Sequence, residues 1–189
     1  NITKLVLGKN LTEIKRDTFI NNNLSKIILP KNLITYTVGS FNNNRLNVLN
    51  DNPIIVYPSS ITNFDILNFG NTIYKYDITN SKFKKFVNDN EILNFNMSDD
   101  ISLNSLETAG YELIDLYNSG YILENIINQT SYTIKDALIH LPNTDLINNI
   151  KNLNYTIFDI RDIGQITNDK LQYLFPTYSL IEIRSAFTL

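Results

Sequence analysis

Residues 5–11 read LVLGKNL and residues 27–33 read IILPKNL, so one short pattern returns after 22 residues. A third copy, IVYPSSI at residues 55–61, follows the second at an offset of 28. Apolar residues alternate within each copy, which indicates a short strand with one face turned inward. No single copy can bury these residues alone. The sequence therefore predicts that neighbouring copies share one continuous core.

Asparagine triplets occupy residues 21–23 and 42–44, each after the phenylalanine of its copy, Phe19 or Phe41. Asparagine tolerates left-handed backbone and can bond its own main chain. Both triplets also keep the phase of the apolar residues. We therefore predict a turn at each triplet.

The run FINNNL at residues 19–24, followed by ILPKNL at residues 28–33, resembles the BspA-like class of leucine-rich repeats. The resemblance covers about residues 1–62, and its glycine before phenylalanine occurs only in the second copy, at Gly39. It implies a curved scaffold for protein–protein contact or surface adhesion. It brings no catalytic residues with it.

The region from residue 63 to residue 100 loses this register. Residues 73–78 alternate like a strand, residues 83–87 could return as its partner, and residues 79–81 suit the turn between them. We interpret this hairpin as a cap, followed by a linker over residues 88–100. The hairpin also carries a basic cluster, which we interpret as the protection of a solvated edge strand and not as a ligand site: Lys82, Lys84 and Lys85.

A different repeat begins near residue 102, because LNSLETAGY at residues 103–111 returns as LIDLYNSGY at residues 113–121. Leucines three apart lie on one face of a short helix, and the glycine suits a left-handed helix end. Looser copies cover residues 123–138 and 153–189. This pattern resembles short helical repeats of array proteins from bacteria and from large DNA viruses with AT-rich genomes.

Capping residues support the helical interpretation. A hydroxyl stands three residues before an acidic residue at three helix starts, and glycines suit three helix ends. The start pairs are Thr133 with Asp136, Thr156 with Asp159 and Ser179 with Glu182, and the end glycines are Gly110, Gly120 and Gly164.

Together the two periods predict an α+β tandem-repeat solenoid, in which a short-stranded leucine-rich-repeat segment is followed by stacked short α-helices. The predicted boundaries are 1–62 for the leucine-rich-repeat-like solenoid, 63–100 for the β-hairpin cap and linker, and 101–189 for the short helical repeats. We expect the array to continue beyond both ends of the sequence.

Catalytic chemistry has little support in the sequence. His140 is the only histidine, cysteine is absent, and the Asp99–Asp100 pair does not have the spacing of a calcium loop. None of the six glycines belongs to a phosphate-binding loop. We therefore predict no enzyme activity, no catalytic or metal-binding residues and no cofactor. The sequence does not identify the residues that bind a partner.

The charge balance narrows the choice of partner. A net charge of −3 and a pI near 5.1 argue against nucleic-acid binding, and no apolar run approaches the length of a membrane span. We expect a module for protein binding or adhesion whose strand face recognises a partner. The alternative is a structural component that self-assembles. Either function suggests a cell-surface, extracellular or virion location.

Overall fold

A computed structural model of the chain describes residues 2–46, 53–62, 72–87, 90–95, 97, 101–141, 155–156, 160 and 168–187. Eight strands lie in these ranges: β1 (Lys4–Val6), β2 (Glu13–Ile14), β3 (Lys26–Ile28), β4 (Thr35–Tyr36), β5 (Ile54–Pro58), β6 (Thr72–Asp77), β7 (Lys82–Val87) and β8 (Asn90–Ile92). Six of them form one mixed sheet in the order β1-β3-β5-β6-β7-β8, while β2 and β4 pair separately.

The sequence repeat sets the register of the parallel strands. Leu5 pairs with Ile27, and Ile27 pairs with Ile55. The small sheet follows the same offset, because Glu13 pairs with Thr35. Equivalent residues of successive copies are therefore neighbours across the sheet.

Both faces of the six-stranded sheet are buried at its centre, whereas β1, β7 and β8 are partly exposed. On one face Ile27, Ile55 and Ile73 join a core with residues from the connecting segments, including Leu33 and Phe41. On the other face Ile28, Val56 and Tyr74 are fully buried. That second face carries the helices α1 (Leu103–Thr108) and α2 (Leu113–Asn118), because Lys4 Nζ donates to Ser105 Oγ and the Tyr76 hydroxyl donates to Asp115 Oδ1. The face expected to recognise a partner therefore lies under these two helices.

The predicted tandem-repeat solenoid is wrong. Within Asn1–Tyr121 the chain is an α/β fold, with a mixed sheet that is not curled and two short helices, and four further short helices follow in the described residues. A solenoid copy contacts only its neighbours, whereas here the backbone N–H groups of Lys9 and Lys31 both donate to the end of α1, at Thr108 O (3.1 Å) and Ala109 O (2.9 Å). The parallel ladder also ends in antiparallel pairing at β6 and β7.

The predicted hairpin forms, with Tyr76 opposite Phe83. The interpretation of its lysines is wrong, because β7 lies between β6 and β8 and is not an edge strand. Lys85 lies over the ring of Tyr74, with its Nζ 5.3 Å from the ring centroid, on the face opposite Lys84. Solvation of an edge therefore does not explain this cluster.

The predicted helix ends are confirmed wherever they fall in the described residues. Gly110 and Gly120 have φ of 87° and 90°. Thr133 and Asp136 form a capping box, and Ser179 exchanges hydrogen bonds with Glu182. Asp159, Gly164 and the Asp99–Asp100 pair lie outside the described residues.

The chain divides into two compact units, Asn1–Tyr121 and Ile122–Leu189. The second unit contains α3 (Leu123–Gln129), α4 (Ile134–His140), α5 (Asn168–Leu174) and α6 (Leu180–Phe187). The division falls inside the predicted helical-repeat region, and the predicted boundaries after residues 62 and 100 stay predictions.

Candidate functional site

Asp115 is a fully buried carboxylate at the start of α2, between the apolar side chains of Leu113 and Leu116. Its Oδ1 accepts a hydrogen bond from the Tyr76 hydroxyl, and its Oδ2 accepts one from the backbone N–H of Glu112 at 2.7 Å. A buried carboxylate is tolerated only where it is paired and hydrogen-bonded. Asp115 meets both conditions, because Tyr76 and Glu112 donate hydrogen bonds to it and Lys31 pairs with its charge.

Lys31 supplies the positive charge, from the turn after β3. Its Nζ lies 2.8 Å from Asp115 Oδ2 and 2.8 Å from Glu112 Oε2. Burial lowers the pKa of Lys31, but the hydrogen bonds to Asp115 and Glu112 outweigh burial and hold that pKa above its ordinary value. Lys31 thus stays charged and neutralises the buried carboxylate.

Aromatic rings enclose the same group of charges. Tyr76 packs against Phe83 and Tyr111, with ring centroids 5.3 and 5.1 Å away. Burial, followed by the hydrogen bond to Asp115, raises the pKa of Tyr76 to about 12, and burial raises the pKa of Tyr111 well above its usual value. The Tyr111 hydroxyl donates to Leu29 O at 3.1 Å. Both phenols therefore stay protonated near neutral pH.

The chemistry of this cluster is structural. Asp115 forms an ion pair with Lys31 and a hydrogen bond with Tyr76, and the Lys31 side chain is only 20% exposed. A nucleophile or general base needs a free face toward a substrate, which this arrangement does not offer. The cluster instead fastens α2 to the sheet. Sequence reasoning missed Asp115, because it stands at an unspecified position of the Leu113-x-x-Leu116 pattern, where a solvent-facing residue is expected.

A second candidate feature is the open edge, which we define as strand β1 with the side chains of Leu5, Leu7, Leu11 and Phe19. These four side chains are partly buried, whereas the equivalent residues of the next copy are fully enclosed. The enclosed counterparts are Ile27, Leu29, Leu33 and Phe41, exposed by 0%, 0%, 0% and 2%. The second copy has a neighbouring copy on each side. Within the described residues, the first copy has a neighbouring copy on one side.

Backbone groups at this edge are oriented outward. Leu7 N donates to Ile28 O at 3.1 Å, so the odd-numbered residues of this segment face β3. Because N–H and C=O directions alternate along a strand, Lys4 and Val6 point theirs away from the sheet. An open strand edge of this kind is a template for pairing with a further strand, which either another chain or a repeat copy preceding residue 1 would supply.

The residues considered earlier for catalysis do not converge. His140 is exposed at the last position of α4. Within the described ranges, no group of three histidine, aspartate or glutamate side chains could hold a metal ion. A shallow depression of about 430 Å³ in the second unit is lined by Asp169, Gln172, Tyr173 and Pro176.

No helix in the described part of the chain is long and apolar enough to cross a membrane. Comparison with protein-family models, curated proteins and solved structures finds no match. The resemblance to BspA-like leucine-rich repeats stays a prediction.

Proposed function

We propose that this chain is a non-catalytic protein-binding module whose contact surface is the open edge. The observation that carries the proposal is the difference between equivalent residues: Leu7 and Phe19 are partly exposed, while Leu29 and Phe41 are buried by a neighbouring copy. A partner that covers Leu7 and Phe19 gains roughly 25 cal/mol for each Å² of apolar surface removed from water.

The partner would add a strand beside β1. Addition of a strand uses main-chain hydrogen bonds for affinity and alternate side chains for specificity. The outward backbone groups of Lys4 and Val6 supply the main-chain hydrogen bonds, and the side chains of Leu5 and Leu7 supply the specificity. We therefore expect a partner segment with apolar residues at alternate positions.

A single substitution tests the edge. Val6→Pro removes an outward N–H and leaves the bonds of Leu5 and Leu7 to β3 intact, since proline is tolerated on an edge strand whose N–H faces solvent. Affinity capture with the wild-type chain should retain a partner that Val6→Pro loses. Val38→Ser, at an exposed position outside the open edge, should retain it. Equal capture by all three chains would contradict the proposal.

The alternative is a structural component of a larger assembly, such as a virion or a surface layer. An antiparallel pair of β1 strands centred on Leu5 would place Lys4 of each copy opposite Val6 of the other, so like charges would not meet. Sedimentation velocity separates the two functions. Concentration-dependent dimers that disappear in Val6→Pro, with only copies of the chain captured, would support the assembly role and contradict the binding module.

A further inference from the structure

The hairpin of β6 and β7 gathers positive charge on one of its faces. Cross-strand pairing places Lys75 opposite Lys84 and Asp77 opposite Lys82. These four residues share a face because side chains alternate along each strand, and we call them the lysine face. Lys85 belongs to the opposite face, where its ammonium lies over Tyr74.

The charges of the lysine face do not cancel. Its single carboxylate, Asp77, lies 3.6 Å from Lys84 Nζ and also accepts hydrogen bonds from Thr79 N and from Asn80. Glu91 lies on the same side opposite Phe86, but within the described residues no ion pair joins it to a lysine. Like charges directly opposite each other destabilise a strand pair. Lys75 and Lys84 therefore leave positive charge that a bound anion would neutralise.

The face is accessible. Lys82 is exposed, Lys75 is half-buried, and the side chain of Lys84 is 37% exposed. Nucleic-acid bases would find no exposed aromatic ring to stack on at this side of the sheet, because Tyr57 is buried and Phe86 packs against the core.

We propose that the lysine face docks an extended acidic segment of a partner protein, with carboxylates on alternate residues. Lys82 and Lys84 are two positions apart on one strand, a spacing of roughly 7 Å. An extended peptide repeats its side chains at the same interval, so its alternate carboxylates match the two ammonium groups, and Lys75 adds a third contact beside Lys84. This docking is independent of the open edge, so Val6→Pro should leave it unchanged.

The probe is a synthetic peptide of alternating glutamate and threonine, titrated into the full chain at low salt. The double variant Lys75→Gln with Lys84→Gln should weaken binding by roughly fivefold to tenfold. Lys85→Gln, on the other face of the same strand, should bind like the wild type. A glutamine–threonine peptide should not bind.

The stability of Lys75→Gln is an independent readout, because removal of one of two opposed ammonium groups should leave the thermal midpoint unchanged or higher. A lower midpoint would mean that Lys75 has a structural role and would overturn the argument from repulsion. Peptide affinity that is equal in the double variant would overturn the docking proposal. So would equal binding of single-stranded DNA with the same number of charges.

Discussion

Gly110 joins the end of α1 to the first repeat copy. Its φ of 87° is left-handed, and a Cβ built there would lie 2.6 Å from Lys9 Cβ. Lys9 is held in place by its backbone bond to Thr108 O. Glycine at this position is thus required twice, once by the backbone angle and once by the close approach of Lys9.

Gly120 provides a matched comparison, because its φ is 90° but nothing lies within 4 Å of a Cβ built there. Alanine at either position should lose about 1 kcal/mol of unfolding free energy to left-handed strain. Gly110→Ala should lose about 1–3 kcal/mol more, since the new methyl group collides with Lys9. Urea denaturation of the two variants measures the difference, and equal losses would show that the contact with Lys9 does not matter.

At the scale of elements, asparagine side chains connect the turns of successive copies. Asn44 Nδ2 donates to Phe41 O in its own copy and to Phe19 O in the preceding copy, both at 2.8 Å. Leu24 N donates back to Asn44 Oδ1 at 3.0 Å. The predicted turns are confirmed by left-handed φ at Asn21 and Asn43. The bond between copies was not predicted, since it depends on how closely the turns approach.

We expect Asn44→Asp to destabilise the first unit by about 1–3 kcal/mol. The substitution replaces a donor of two hydrogen bonds with an oxygen that faces two carbonyl groups. Asn32→Asp, at an exposed position in the turn after β3, adds the same charge and should change stability by less than about 0.5 kcal/mol. If the two variants had equal denaturation midpoints, Asn44 would not connect the copies energetically.

At the scale of the whole molecule, the buried phenols make stability depend on alkaline pH. Burial raises the pKa of Tyr57 to about 12, and burial with the hydrogen bond to Asp115 does the same for Tyr76. The unfolded chain releases these protons near pH 10, before the folded chain does, so the unfolding free energy falls as pH rises. The raised pKa of Lys31 acts in the same direction, because its stabilising charge is lost only at high pH.

Tyr57 and Tyr76 should therefore each lower the unfolding free energy by on the order of 2 kcal/mol as the pH rises from about 9 to about 12. Urea denaturation of the chain across this range measures the slope. Tyr76→Phe should flatten it, because phenylalanine has no proton to lose. A stability that stays constant or rises over this interval would show that these phenols are not protected in the folded chain.

The local structure and the pairing of neighbouring strands can be predicted from the amino-acid sequence. The offset of 22 residues sets the register of β1 with β3, and the capping residues set the starts of α4 and α6. These features depend on contacts between residues that are close in the chain or that hold the same position in successive repeat copies. Both relations can be read from the sequence.

Long-range packing alone shows that the copies form a sheet with α1 and α2 on one of its faces. Lys31 and Asp115 are 84 residues apart, and nothing in either local pattern shows that one neutralises the other. The same holds for Lys9 and Gly110, whose contact requires α1 to lie on the sheet. Such long-range contacts form where buried surfaces and charges complement each other in space. For this reason the repeat predicted the ladder of strands correctly and the solenoid wrongly.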